Sequence, residues 1–179
     1  MPASHRKNSP GGCIDPRSGL YSGEHFYLGL DQEMARLDSG RQGLGLIVFR
    51  FEKAPDWSRL GPKVASVLGS CDQAACLEED LGAVFLPEVQ ARKMARILED
   101  LGRELGPGIL WGLALVWPGS LSGREDLLKK AIAGLAPLEK TLQRLIQEHG
   151  PFSRGESALI PAEKDSLFEG FGQLLGGRL

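Results

Sequence analysis

The stretch Asp72-Gln73-Ala74-Ala75-Cys76-Leu77-Glu78-Glu79-Asp80-Leu81-Gly82-Ala83-Val84-Phe85-Leu86-Pro87 decides the fold. Residues 72–77 and 81–87 are two short runs of small and apolar residues, separated by the acidic group Glu78-Glu79-Asp80. Two such runs with a tight polar connection read as a β-hairpin. Upstream, residues 44–51 form another short apolar run with β-branched and aromatic content, which predicts a buried strand. Downstream, Val89, Met94, Ile97, Leu98, Leu101 and Leu105 fall on one stripe at helical spacing, which predicts a helix over 87–105.

The flanks alternate in the same way. Phe26, Leu30, Met34 and Leu37 recur at helical spacing and predict a helix over 23–39, ended by Gly40 and Gly43. Residues 52–56 read as a turn, and 62–68 as a helix with Pro62 near its first turn. Residues 109–117 read as a strand closed by Pro118-Gly119. A long helix opens at Ser122 or Gly123, with Pro137 placed to kink or divide it. Strands interleaved with helices, one hairpin among them, define an α+β sheet with helices packed on it.

The totals suit a single domain. A chain of 179 residues can bury a real core, and 42% hydrophobic with 25% charged residues is the profile of a globular protein. A net charge of -2 leaves no general footprint for nucleic acid or an anionic membrane. The apolar runs are too short to cross a bilayer, and the polar N-terminus has no apolar core of a signal peptide, so a cytoplasmic location is expected. Cys13, Cys71 and Cys76 match no zinc spacing, and His5, His25 and His149 are scattered, so reduced thiols and no metal cluster are expected.

Four segments in order resemble GGDEF domains, the fold of bacterial diguanylate cyclases. Asp15, Gly19, Leu20 and Phe26 fit the entry motif D-x-L-T-G-L-x-N-R-x-x-F, with Ser18 for Thr and departures at Arg17, Ser22 and Gly23. Residues 72–87 are similar, without a gap, to D-x-x-x-R-Y-G-G-D-E-F-A-V-L-L-P. Gly112-Leu113-Ala114 resembles the S-I-G-x-A strand, and Leu127, Leu128, Ala131 and Leu135 resemble the closing helix. The resemblance implies an α+β nucleotide-cyclase-like fold with a ferredoxin-like core, a mainly antiparallel central sheet flanked by helices. Expected boundaries are 1–14 for a flexible N-terminal segment, 15–149 for the domain, and 150–179 for a linker and helical tail. Leu159, Ile160, Leu167, Phe168, Phe171, Leu174 and Leu175 give that tail an apolar face.

The same resemblance implies that the chemistry is degenerate. A diguanylate cyclase pairs two domains, each holding one GTP, and relies on positioning and on charge neutralisation by Mg²⁺ and basic groups. The two glycines that admit a phosphate to the hairpin backbone are here Glu78 and Glu79. A like-charge contact near 4 Å costs up to about 4 kcal/mol at an effective dielectric of about 20. Asp80 keeps the third signature position, while Leu81 and Gly82 replace the acid and the phenylalanine. The strand's metal-binding acid falls at or beside Arg50, and the second acid is Glu52; Asp80 and Glu52 are thus the candidate metal ligands. The guanine-reading segment is shortened to 53–61.

The inhibitory R-x-x-D appears as Gly69-Ser70-Cys71-Asp72, with the Asp retained and the Arg missing. Asp72 also reads as a plain strand-end turn residue. Lys140 and Arg144 lie within one residue of the family's phosphate-contacting Lys and Arg; the preferred reading of such an i, i+4 pair is a solvated helix face. No residue is assigned as catalytic and no cofactor is expected, with Mg²⁺ only if nucleotide binding survives. The function implied is a catalytically inactive GGDEF-like module that binds another signalling protein or a second GGDEF domain, a homodimer included, with no nucleic acid or membrane partner. The alternative is a residual GTP- or cyclic di-GMP-binding domain or weak cyclase.

Overall fold

The computed structural model describes residues 12–37, 43–119 and 123–149. The elements follow the order α1 (Gly23–Leu37), β1 (Gly43–Phe51), α2 (Trp57–Val67), β2 (Gln73–Cys76), β3 (Leu81–Val89), α3 (Ala91–Leu105), β4 (Ile109–Val116), α4 (Arg124–Ala133), β5 (Ala136–Pro137) and α5 (Leu138–His149). The strands form one sheet in the order β2-β3-β1-β4-β5, antiparallel at every pairing. The unit β1-α2-β2-β3-α3-β4 with β1 and β3 in the middle is the ferredoxin-like arrangement expected.

Both faces of the sheet are apolar, so the central strands are near-continuous hydrophobic runs. Residues 43–49 of β1 are all buried. On one face Ile47, Phe49, Val84, Leu86 and Trp111 pack with Val64 of α2, Met94, Leu98 and Leu101 of α3, and Leu142 and Leu145 of α5. On the other, Leu46, Val48, Ala83, Phe85 and Ala114 pack with Phe26 and Leu30 of α1 and Leu127 and Ala131 of α4. Each fully buried large side chain of this kind contributes about 1.5–3 kcal/mol. The free edge of β2 is covered by the entry segment, where Ile14 bridges Tyr21, Tyr21 bridges Ala75, and the Tyr21 N–H donates to the Ala74 carbonyl at 3.0 Å.

Two expected helix starts move, each for a local reason, and the long helix divides at Pro137 as expected. Helix α2 begins at Trp57, five residues before Pro62, which sits in its interior. Asp56 caps that first turn by accepting from the Ser58 N–H at 3.1 Å, and buried Trp57 anchors it against Phe49 and Phe51. Helix α3 begins at Ala91, because β3 runs on through Pro87 to Val89, which pairs with Gly43. A bulge between Gly43 and Gly45 absorbs the extra residue, and Glu88 there takes φ 51°. The long helix is divided: Gly134 ends α4, and Ala136-Pro137 make a two-residue strand against Leu110 and Trp111 before α5 starts. The helical tail expected after residue 149 lies outside the described residues.

Helix α2 lies directly on the entry segment at Gly61. A Cβ there would stand 1.7 Å from the Ser18 carbonyl oxygen, so the site takes glycine for want of room. Gly61→Ala is expected to destabilise the domain by about 2 kcal/mol or more, read as a fall in the urea midpoint with an unchanged slope.

Candidate functional site

The connection 77–80 between β2 and β3 is short, and its backbone is tied from every side. The Leu77 and Glu78 N–H groups both donate to the Leu81 carbonyl, at 2.9 and 3.1 Å. The three acidic residues each give up their carbonyl oxygen to a different element. The Cys76 thiol of β2 donates to Glu78 O at 3.0 Å, the Trp57 indole of α2 donates to Glu79 O at 2.8 Å, and the Phe51 N–H of β1 donates to Asp80 O at 2.9 Å. Their carboxylates are left on the outside of the turn.

Arg50 answers two of those carboxylates. Its guanidinium lies 3.4 Å from Glu78 and 3.6 Å from Asp80, with the Arg50 side chain one-third exposed. Glu79 is exposed beside the pair, and Arg17 approaches from the entry segment, where it is paired with Asp15 at 3.3 Å. Burial alone would raise Asp15; the Arg17 N–H, the Arg17 guanidinium and the Ser18 hydroxyl outweigh it and hold the carboxyl below 3.8. That contribution to stability is present above the unfolded value of 3.8 and is lost as pH falls below it through the folded value.

The remaining signature positions are packing positions. Leu81 is buried against the α1–α4 face. Gly82 leaves the room that Phe49 and Trp57 fill, since a Cβ there would lie 2.3 Å from the Phe49 ring and 2.9 Å from the Trp57 ring. Glu52 is exposed just past the end of β1. Among the described residues no group of three or more His, Cys, Asp or Glu side chains converges to hold a metal. With a guanidinium against both Glu78 and Asp80, the donor set does not fit a divalent cation.

The other candidates are placed apart from the turn. Asp72 is buried and closes the turn before β2: its carboxylate accepts from the Gly69 N–H at 2.8 Å, and its own N–H donates to Gly69 O at 3.2 Å. Lys93 of α3 stands 3.9 Å from the same carboxylate. Arg144 donates to the Gly134 carbonyl at 3.1 Å and so caps the end of α4. Lys140 is exposed on α5, which packs by β4 and β5, two strands away from the hairpin. The structure brings Arg50, Glu78, Asp80 and the Glu79 backbone together, and leaves Lys140 and Arg144 elsewhere. Sequence reasoning missed Trp57 and Cys76 as anchors of the turn; the signal for Trp57 was Asp56-Trp57-Ser58, a capping residue before a large aromatic in an otherwise polar stretch.

No protein-family model matches the chain, and no curated protein matches it at a significant level. Solved structures do. The GGDEF domain of FimX from Pseudomonas aeruginosa superposes with a TM-score of 0.63 at 13% identity, covering 75% of this chain and 96% of that one. The GGDEF domain of DgcB from Caulobacter crescentus, solved with c-di-GMP, gives 0.61 at 18% identity over 80% and 94%. Diguanylate cyclase SiaD of Pseudomonas aeruginosa, solved with its activator SiaC, gives 0.59 at 14% identity over 75% of this chain and 58% of that one. The fold is therefore that of the nucleotide-cyclase-like α+β class. Within that class its fold is the one seen in GGDEF domains.

Two measurements check the turn. Trp57→Phe keeps the ring packing but leaves Glu79 O without its donor, and is expected to cost about 1 kcal/mol by urea unfolding. Burial pushes the Cys76 thiol from 9.0 up to about 11, so its neutral form stabilises the fold below pH 9 and that contribution is lost as pH rises through 11. At pH 8 Cys76 is expected to alkylate roughly 100-fold more slowly than an exposed thiol of ordinary reactivity. Exposed Cys13 and Cys71 serve as internal references in peptide-resolved mass spectrometry.

Proposed function

We propose that this GGDEF-like domain makes no cyclic di-GMP and acts by binding another protein in cyclic-dinucleotide signalling. The observation that carries the reading is the state of the hairpin turn. All three of its acidic residues have their carbonyls engaged by β1, β2 and α2, and Arg50 lies against two of their carboxylates. A triphosphate brought to this turn meets Glu78, Glu79 and Asp80 in place of a small, neutral backbone. Phosphoryl transfer depends on positioning and on neutralising the phosphate charge, and this turn supplies neither.

The partner is another signalling protein or a second GGDEF domain, a homodimer being one such arrangement. SiaD with its activator SiaC is a protein of this fold engaged by a protein partner. We place the domain in the cytoplasm; none of its described helices is long and apolar enough to cross a membrane.

The test is incubation of the purified chain with GTP and Mg²⁺ or Mn²⁺, alongside calorimetry with GTP, GDP and cyclic di-GMP. The expected outcome is no cyclic di-GMP and no heat of binding. Measured cyclase activity would overturn the proposal. Binding without turnover would instead favour nucleotide sensing, with Lys140, Arg144 and Asp80 as the first residues to substitute.

A further inference from the structure

The sheet has one stretch of edge that its own strands do not cover. The Phe51 N–H bonds to Asp80 O, so the odd-numbered residues of β1 face β3 and the even-numbered ones face β4. Through the pairs Arg50–Leu110, Val48–Gly112, Leu46–Ala114 and Leu44–Val116, the even residues of β4 then bond to β1. The backbone groups of Trp111, Leu113 and Leu115 therefore point outward. Trp111 is satisfied there: it pairs with Ala136 of β5, and its carbonyl accepts from the Thr141 hydroxyl at 3.0 Å. β5 ends at Pro137, so Leu113 and Leu115 face no strand among the described residues.

This edge lies at the bottom of a groove. Leu113, Ala114 and Leu115 form its floor, Lys130 of α4 one wall, and Arg144, Leu145, Glu148 and His149 of α5 the other. Helix α4 comes close enough that a Cβ on Gly112 would meet the Ala131 carbonyl oxygen at 1.9 Å. With a helix on each side, the recess suits one extended segment and not the broad edge of a second sheet. Among the described residues no strand meets the four backbone groups of Leu113 and Leu115, and a strand laid along them satisfies all four.

We propose that residues 157–160 of this chain fill the groove as a sixth strand, antiparallel to β4. Helix α5 begins beside Leu110 and Trp111 and ends at His149, in the groove wall by Leu115, so it runs in the direction of β4. A chain that turns back after His149 travels the other way, along the open edge. Residues 150–156 include Gly150-Pro151 and Gly155 and give a connection of ordinary length for a helix-to-strand loop. Next comes Ser157-Ala158-Leu159-Ile160, a continuous apolar run after one serine, as a strand covered on both faces by α4 and α5 requires. Pro161 follows and cannot extend the ladder. The assignment stands whether or not the domain turns over GTP.

Hydrogen exchange on the full chain tests it. The Leu113 and Leu115 amides are expected to be protected, and Leu159→Pro, which removes a donor and bars the strand conformation, is expected to speed their exchange by about tenfold or more. The Ile47 and Val84 amides, in the middle of the sheet, report that the fold is intact and are expected to stay unchanged. Unprotected Leu113 and Leu115 in the unaltered chain, or protection indifferent to Leu159→Pro, would overturn the proposal. Protection that disappears on dilution would do so too, by showing a second copy on the edge.

Discussion

The bond between the Trp57 indole and the Glu79 carbonyl organises more of this domain than its size suggests. Alone it is worth about 1 kcal/mol. Yet it fixes where α2 starts, because the residue that makes it is the first of the helix, capped by Asp56. It also sets the ring that fills the room above Gly82 and packs against Phe49 and Phe51. From there α2 runs over the entry segment with no space for more than a glycine at position 61. Strand β1, helix α2, the hairpin and the entry segment are thus held in register around one donor and one acceptor.

That constraint recasts the acidic turn. Three carboxylates in a row would repel one another and fray a solvent-exposed hairpin. Here the backbone is held by bonds from three directions, and Arg50 answers two of the side chains. The arginine is only one-third exposed, so its charge is screened less than a surface pair's would be.

The architecture was legible in the sequence because the stripe of α3 has a helical period, while the hairpin arms and 44–51 are short bounded runs of small, β-branched or aromatic residues. The boundaries were less so. Pro62 and Pro87 are ordinary helix-start signals, and both were overruled by burial, of Trp57 in the first case and of Val89 in the second. At the site, the residue types at 78–82 and the cation at Arg50 could be read directly. The pairing of Arg50 with Glu78 and Asp80 could not, because it depends on the register between β1 and β3, 28 residues apart for the Glu78 contact. Lys140 and Arg144 show the converse: their one-turn spacing carries no information about direction, and Arg144 turns to the end of α4.

The face covered by α1 and α4 differs in kind from the other. The unit from β1 to β4 is contiguous in the chain, whereas the outer seam joins Arg124 to Asp31 and lays the Arg124 guanidinium 5.0 Å from the Tyr27 ring centre, contacts that span 93 residues in the Asp31 case. Long-range closure of this sort comes late. During synthesis α1 emerges first, carrying Phe26 and Leu30, and waits for β2 and β3 before Phe26 can pack on Phe85, and longer still for Arg124 to close the seam. The helix that opens this domain is therefore the part a nascent chain holds exposed for longest, and the part with most to gain from a chaperone.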